Sequence, residues 1–298
     1  MAASLPNWIR MSATAPSTSS SCTMMELTLT SSLISFLPQL REFWLRRNAC
    51  GISPYYVLFQ LIGATELFAL AFYYVVNSVQ TSPGPDFFTH NPPQLGDYLN
   101  LAQMALVWVL WLIVFAAVLL LPSESLDRAP GARNSTAPTV LAIYLAFLLI
   151  SIIPVVVDAA WPSQDASSHE WAMALFHGIH TMLINPIVTI LILVSFFSQR
   201  GEILQHPPGT ASSSLSLIGL AVQAVVFAVL ALAWAWRFVF PGGASVGYGM
   251  TWYQLVGFVA VDHIAFALVQ AALLAFVVLH RGQGFTGGET EPLLDNRN

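Results

Sequence analysis

The chain has 298 residues, of which 56% are hydrophobic and 8% charged, with a net charge of −5 and a mean hydropathy of +0.68. A soluble domain carries about a quarter charged residues to wet its surface, so this composition excludes a soluble globular fold and leaves a lipid bilayer as the main partner. All ten basic residues are arginines, and their scatter gives no basic patch on which a nucleic acid could dock.

Residues 1–24 are rich in Ser, Thr and Ala and lack the compact apolar core of a signal peptide. They read as a disordered lumenal or extracellular tail. A helix crosses the bilayer core with roughly 20 apolar residues. The first such stretch, near 25–45, is diluted by Thr28, Thr30, Ser31, Ser32 and Ser35. Six stronger ones follow at 54–77, 98–121, 137–160, 171–197, 215–240 and 253–280. Pro54 opens the second span, Pro122 closes the third, and Pro241-Gly242-Gly243 ends the sixth. The fold class is therefore all-α, with seven transmembrane helices.

Orientation follows from the arginines. Arg41, Arg46, Arg47, Arg128, Arg133, Arg200, Arg281 and Arg297 fall on one side, against Arg10 and Arg237 on the other. The positive-inside rule then places the C-terminus in the cytosol and the N-terminus outside or in a lumen, which requires an odd number of spans. Cys22 and Cys50 lie on opposite sides of that scheme and cannot pair. Asn134-Ser135-Thr136 is a glycosylation sequon in a predicted cytosolic loop, where it is expected to stay unused.

An internal repeat runs through the scheme. Pro38-Gln39 after the first span and Ser198-Gln199 after the fifth each precede an arginine-bearing loop. Gly51-Ile52-Ser53, six residues and Gln60 then match Ser214-Leu215-Ser216, six residues and Gln223. This pattern resembles the PQ-loop family, which includes lysosomal and vacuolar amino-acid exporters and a cystine exporter, and more distantly the SWEET sugar transporters. The resemblance covers about 25–280, with the proline of the second motif replaced by Ser198. It implies two parallel three-helix repeats joined by a linker helix (3+1+3). Residues 25–121 would be the first repeat, 122–170 the loop and linker helix, 171–280 the second, degenerate repeat, and 281–298 a cytosolic tail. It also implies that Pro38, Gln39, Ser198 and Gln199 serve as hinge and gate. A proline near the end of a span removes a backbone hydrogen bond and opens a kink. The plainer reading is that Pro38 only ends the helix. Pro186, twelve residues before Ser198, offers a kink of its own.

Ionisable residues inside a membrane cost at least ~2.5–3.5 kcal/mol and so mark interior, functional positions. Asp262 is the first of these, and the resemblance carries a proton-coupling role to it. Glu66 lies mid-span in the second helix, and His177 and His180 share one face of the fifth. His263 adjoins Asp262, and Asn185 precedes Pro186. Together these form a candidate set for proton coupling or substrate binding; equally, the histidines and Asn185 could be satisfied packing residues. No metal motif, cofactor motif or nucleophile–base pair stands out, so neither a metal nor a cofactor nor enzymatic chemistry is expected. In the tail, Glu289 with Leu293-Leu294 has the form of an acidic dileucine signal that adaptor proteins read. The sequence thus points to proton-coupled transport of a small polar solute, an amino acid first, in a vacuolar or lysosomal membrane. A non-transporting sorting receptor or scaffold of the same fold is the alternative.

Overall fold

The computed structural model describes residues 18–76, 95–122, 132–160, 166–205, 214–235, 253 and 257–286. Among these residues all the regular secondary structure is helical. In chain order the elements are α1 (Thr18–Arg46), α2 (Pro54–Val76), α3 (Leu95–Leu120), α4 (Ala132–Ser151), α5 (Ile153–Ala160) and α6 (Ala166–Ile179). A π turn (His180–Ile184), α7 (Asn185–Leu204), α8 (Leu217–Ala235) and α9 (Phe258–Thr286) complete the series. Six stretches are long and apolar enough to cross a membrane: Pro54–Val76, Leu95–Leu120, Thr136–Ala160, Ala174–Leu204, Leu217–Ala235 and Phe258–His280. With the 29-residue α1 they make seven helices, and the protein is a multi-pass, all-α membrane protein.

The hydroxyls that dilute α1 are satisfied within the helix. Thr30, Ser32 and Ser35 donate to the carbonyls of Glu26, Thr28 and Ser32 at 2.8, 2.7 and 2.7 Å. Hydroxyls that bond back to the preceding turn need no water, which is why α1 persists despite its polar sequence.

Two spans are interrupted, each at a proline. Pro154 has no N–H to offer the carbonyl four residues back. The fourth span accordingly breaks between α4 and α5, bridged by bonds from Ile152 to Leu148 and from Val156 to Ile152, both 3.0 Å. In the fifth span Pro186 follows a widened turn, and the Asn185 N–H reaches back five residues to the His180 carbonyl. This is the distortion expected of Pro186, here a π turn upstream of it.

The packing order closes a ring. α1 packs on α3, α3 on α2, α2 on α7, α7 on α9, α9 on α8, and α8 on α1. Each half thus contributes its first, third and second helices in that order, and the halves meet at two seams, α2·α7 and α1·α8. α4 and α5 pack on α2, and the Trp108 indole N–H of α3 bonds the Tyr144 hydroxyl of α4 at 3.1 Å.

At the first seam Gly63 allows close approach. A Cβ added there would lie 2.5 Å from Ile192 Cδ1 and 3.0 Å from Phe266 Cζ, well inside contact distance. Gly63→Ala is therefore expected to destabilise the protein by about 1–3 kcal/mol through overpacking, read as a lower unfolding temperature in lipid nanodiscs. Ile192→Val in the same chain, by trimming the side chain that clashes, should recover part of the loss.

Candidate functional site

The arginine-bearing end of the bundle holds a reciprocal lock. Gln39, on α1, donates from Nε2 to the Ser214 carbonyl at 3.0 Å and accepts the Ser216 N–H at 2.9 Å. Gln199, on α7, donates to the Gly51 carbonyl at 2.7 Å and accepts the Ser53 N–H at 2.9 Å. Each glutamine therefore binds the loop of the opposite half with both ends of its amide. Ser53 and Ser216 also cap the helices they precede, accepting from Tyr56 N–H at 3.5 Å and Gly219 N–H at 3.1 Å. A bond from Ser214 N–H to the Cys50 carbonyl, 2.8 Å, ties the two loops together.

Local sequence makes this lock possible. Ala49 to Ile52 form a turn closed by a 3.4 Å hydrogen bond, with Gly51 at φ 76°. That left-handed position favours glycine, and it aims the Gly51 carbonyl at Gln199. Gly51→Ala is expected to cost about 1–2 kcal/mol in backbone strain and to weaken the Gln199 lock, again read by thermal unfolding. Pro38 lies inside α1, which continues to Arg46; the proline does not end the helix, and the plainer reading of it falls. Ser198 is half-buried one residue before its lock, in a helix that has no proline at that place.

Deeper, the two seams carry polar side chains. Gln60 donates to Ser195 Oγ at 2.7 Å across the α2·α7 seam. Its repeat counterpart Gln223 lines a cavity of about 10 Å³ with Gln39, Tyr56 and Trp111, room for about one water molecule. The Tyr56 hydroxyl donates to Gln270 Oε1 at 2.9 Å, joining α2 to α9.

The candidate coupling residues gather around the π turn, with two exceptions. Asp262, fully buried on α9, accepts a short hydrogen bond from Thr189 of α7 through Oδ1, while its Oδ2 has no hydrogen-bond partner. Asn185, also fully buried, donates to the Tyr253 hydroxyl at 2.9 Å, and its Oδ1 is likewise unpartnered. Asn185 and Thr189 lie four residues apart and so face the same way. On the other side of the span, His180 Nδ1 lies 2.7 Å from Glu66 Oε1, and Ser151 of α4 donates to Glu66 Oε2 at 3.2 Å.

The exceptions are His263 and His177. One residue along a helix turns about 100°, so His263 points away from the side on which Asp262 meets Thr189. Its Nδ1 bonds the Val259 carbonyl at 2.7 Å and its ring lies 5.9 Å from Phe227. His177 stacks on Tyr73 and meets the Tyr74 hydroxyl at 3.2 Å, beyond the cluster toward the opposite end. Among the described residues no group of three or more metal-ligating side chains comes together. Glu289, Leu293 and Leu294 lie outside the described residues.

Sequence reading missed Thr189, Tyr253, Ser151 and the two capping serines as partners. The serines were visible as repeated positions, and Thr189 as the residue one turn beyond Asn185. Nothing in the sequence marks Ser151 or Tyr253, whose roles arise only from packing between distant spans.

Fold and site define a seven-helix membrane protein whose two halves exchange hydrogen bonds at both of the seams where they meet. Residues 24–79 match the family model for the PQ loop repeat, and the chain is a membrane protein that carries this repeat over α1, the lock loop and α2. No curated protein and no solved structure matches the chain. The second, proline-less copy lies beyond that match and is recognised by the reciprocal geometry of Gln199.

Proposed function

We propose that the protein carries a small polar solute, an amino acid first, across a membrane by proton-coupled alternating access. The observation that bears most of this reading is the buried Asp262–Thr189–Asn185 group beside the seam between the halves. A buried carboxyl group held by one hydroxyl, with its second oxygen free of any hydrogen bond, can take a proton, or receive a solute's donor, without reorganising the helices around it. No arginine or lysine occurs between residues 134 and 199 or between 238 and 280 to hold it permanently as a salt bridge. The Gln39 and Gln199 locks would close one end while the other opens, and no covalent chemistry is required.

The arginine distribution supports a cytosolic face for the locked end and a lumenal N-terminus. With Glu289, Leu293 and Leu294 it favours a vacuolar or lysosomal membrane and an adaptor-reading tail. Ser198 in place of the second proline is the one observation that favours a non-transporting sorting receptor or scaffold.

The test is flux. Purified protein in liposomes with an acidic interior should move labelled amino acids in a manner that needs the pH gradient. Protein shown to be folded that moves neither amino acids nor sugars, with or without the gradient, would contradict the proposal and favour the receptor reading.

A further inference from the structure

Glu66 is the acidic residue that the Asp262 scheme leaves without a task. It is fully buried on α2, and its carboxylate meets two other spans at once: His180 of the π turn at 2.7 Å and Ser151 at the end of α4 at 3.2 Å. His180 is 3% exposed and lies flat against Phe176, with ring centroids 4.0 Å apart. No arginine or lysine occurs between residues 48 and 127 or between 134 and 199. An imidazolium is therefore the only cation that spans two to five can supply to this carboxylate.

Among the described residues, the other titratable groups around the pair are few. His177 stands one turn before His180 and is bonded to Tyr74 on α2. Asp262 of α9 and Tyr253 lie within reach of the Glu66 charge. Asp158 of α5 acts on Tyr73, two turns along α2 from Glu66. The repeat counterpart of Glu66 in α8 is Val229, at the same distance from Gln223 as Glu66 from Gln60, so this acid belongs to the first half alone and owes nothing to the symmetry of the fold.

We infer that Glu66 and His180 form a second proton-binding site, separate from Asp262, which pins the π turn of span five to α2 and to the linker span. With one proton the pair is neutral, whichever partner holds it. Losing that proton leaves a single negative charge held by Ser151 and the neutral imidazole N–H; gaining another leaves an imidazolium beside a neutral acid. Both changes weaken the 2.7 Å contact, because a hydrogen bond that can carry opposite charges on both partners is left with a charge on one of them only. The π turn places His180 against Glu66 and, five residues on, Asn185 against Tyr253. A change in the pair is therefore transmitted along one turn of helix to the Asp262 group. The inference deepens the transport reading and rests on it for this consequence, while the proton site itself stands without transport.

The test counts protons with no solute present. Wild-type protein, Glu66→Gln, Asp262→Asn and the double variant are titrated in lipid nanodiscs between pH 4 and 8 with an optical pH indicator. In parallel, ¹⁵N-labelled histidine resonances are followed, with His180 assigned by its loss in His180→Gln. Glu66→Gln should take up one proton fewer per chain than wild type and the double variant two fewer, and the His180 resonance should move in Glu66→Gln. Ser151→Ala, which removes one hydrogen bond and leaves the pair in place, should shift the His180 titration without abolishing it, and serves if Glu66→Gln does not fold. Equal proton uptake in Glu66→Gln and wild type, or a His180 resonance indifferent to both substitutions, would overturn the inference. Absence of solute flux alongside the expected proton counts would overturn the transport reading and leave the site intact.

Discussion

Asp262→Asn is expected to lower pH-driven net flux by roughly 100-fold while solute-for-solute exchange continues. The ~2.5–3.5 kcal/mol that separates a charged from a neutral side chain at mid-membrane corresponds to about that factor. Asparagine keeps the size of the side chain and can still accept from Thr189 through its oxygen, so the contact that orients it survives. What it cannot do is gain or lose a proton. A carrier whose return step needs that proton would stall empty, yet still shuttle when loaded on both sides. Counterflow and gradient-driven uptake, measured on the same proteoliposomes, separate these two steps. Equal loss of both would make Asp262 a solute-binding residue and not a proton carrier.

Gln39→Ala and Gln199→Ala carry the second large effect, on stability. Each removes an amide that satisfies two buried backbone groups of the opposite half, a carbonyl and an N–H. A buried group left without its partner costs about 1–3 kcal/mol, so each variant should unfold at a distinctly lower temperature. The two locks are not independent, because the Ser214 N–H to Cys50 carbonyl bond joins the loops they hold. The double variant should therefore lose less than the sum of the singles. Gln→Glu at either position keeps an acceptor but discards the donor and adds a charge, and should be no milder than alanine. Thermal unfolding in nanodiscs checks all of these.

The legibility of this fold in its sequence varies by element. Six spans follow from hydropathy alone; 54–77 and 98–121 agree within a few residues with Pro54–Val76 and Leu95–Leu120, whereas the fifth, expected at 171–197, continues to Leu204. α1 is different: its hydroxyls depress hydropathy, but they are satisfied by the preceding turn, a fact that no composition window registers. The repeat was legible because both copies must present the same groups to the same partners: an amide side chain, then a serine that caps a helix. What the repeat could not reveal is that each glutamine serves the other half, since intra-half and inter-half bonding would leave the same sequence pattern.

The polar group near the π turn was only partly legible. Glu66, His180, Asn185 and Asp262 stand out because ionisable and amide side chains are expensive in a span, and the structure gathers all four around one distorted turn. His263 is adjacent to Asp262 in sequence but faces Phe227, the ordinary consequence of a 100° step along a helix. Its partner is its own backbone, four residues back, which sequence adjacency to an acid conceals. The division of labour between Asp262 with Thr189 and Glu66 with His180 depends on which neighbour each span receives. That order, first, third and second helix in each half, is a property of the ring and not of any local stretch.

Alternating access makes one demand that can be read without knowing the solute: the two ends of the seam must open in turn. Spin labels at Leu45 and Leu204, exposed at the ends of α1 and α7, report the locked end. Labels at Leu95 and Trp171, exposed on α3 and α6, report the other. Pulsed electron spin resonance distances in nanodiscs at pH 7.5 and pH 5 should show one pair lengthening as the other shortens, with the change absent in Asp262→Asn. Distances at both ends that are single-valued and unmoved by pH or by any amino acid would contradict the account and describe a rigid receptor or scaffold.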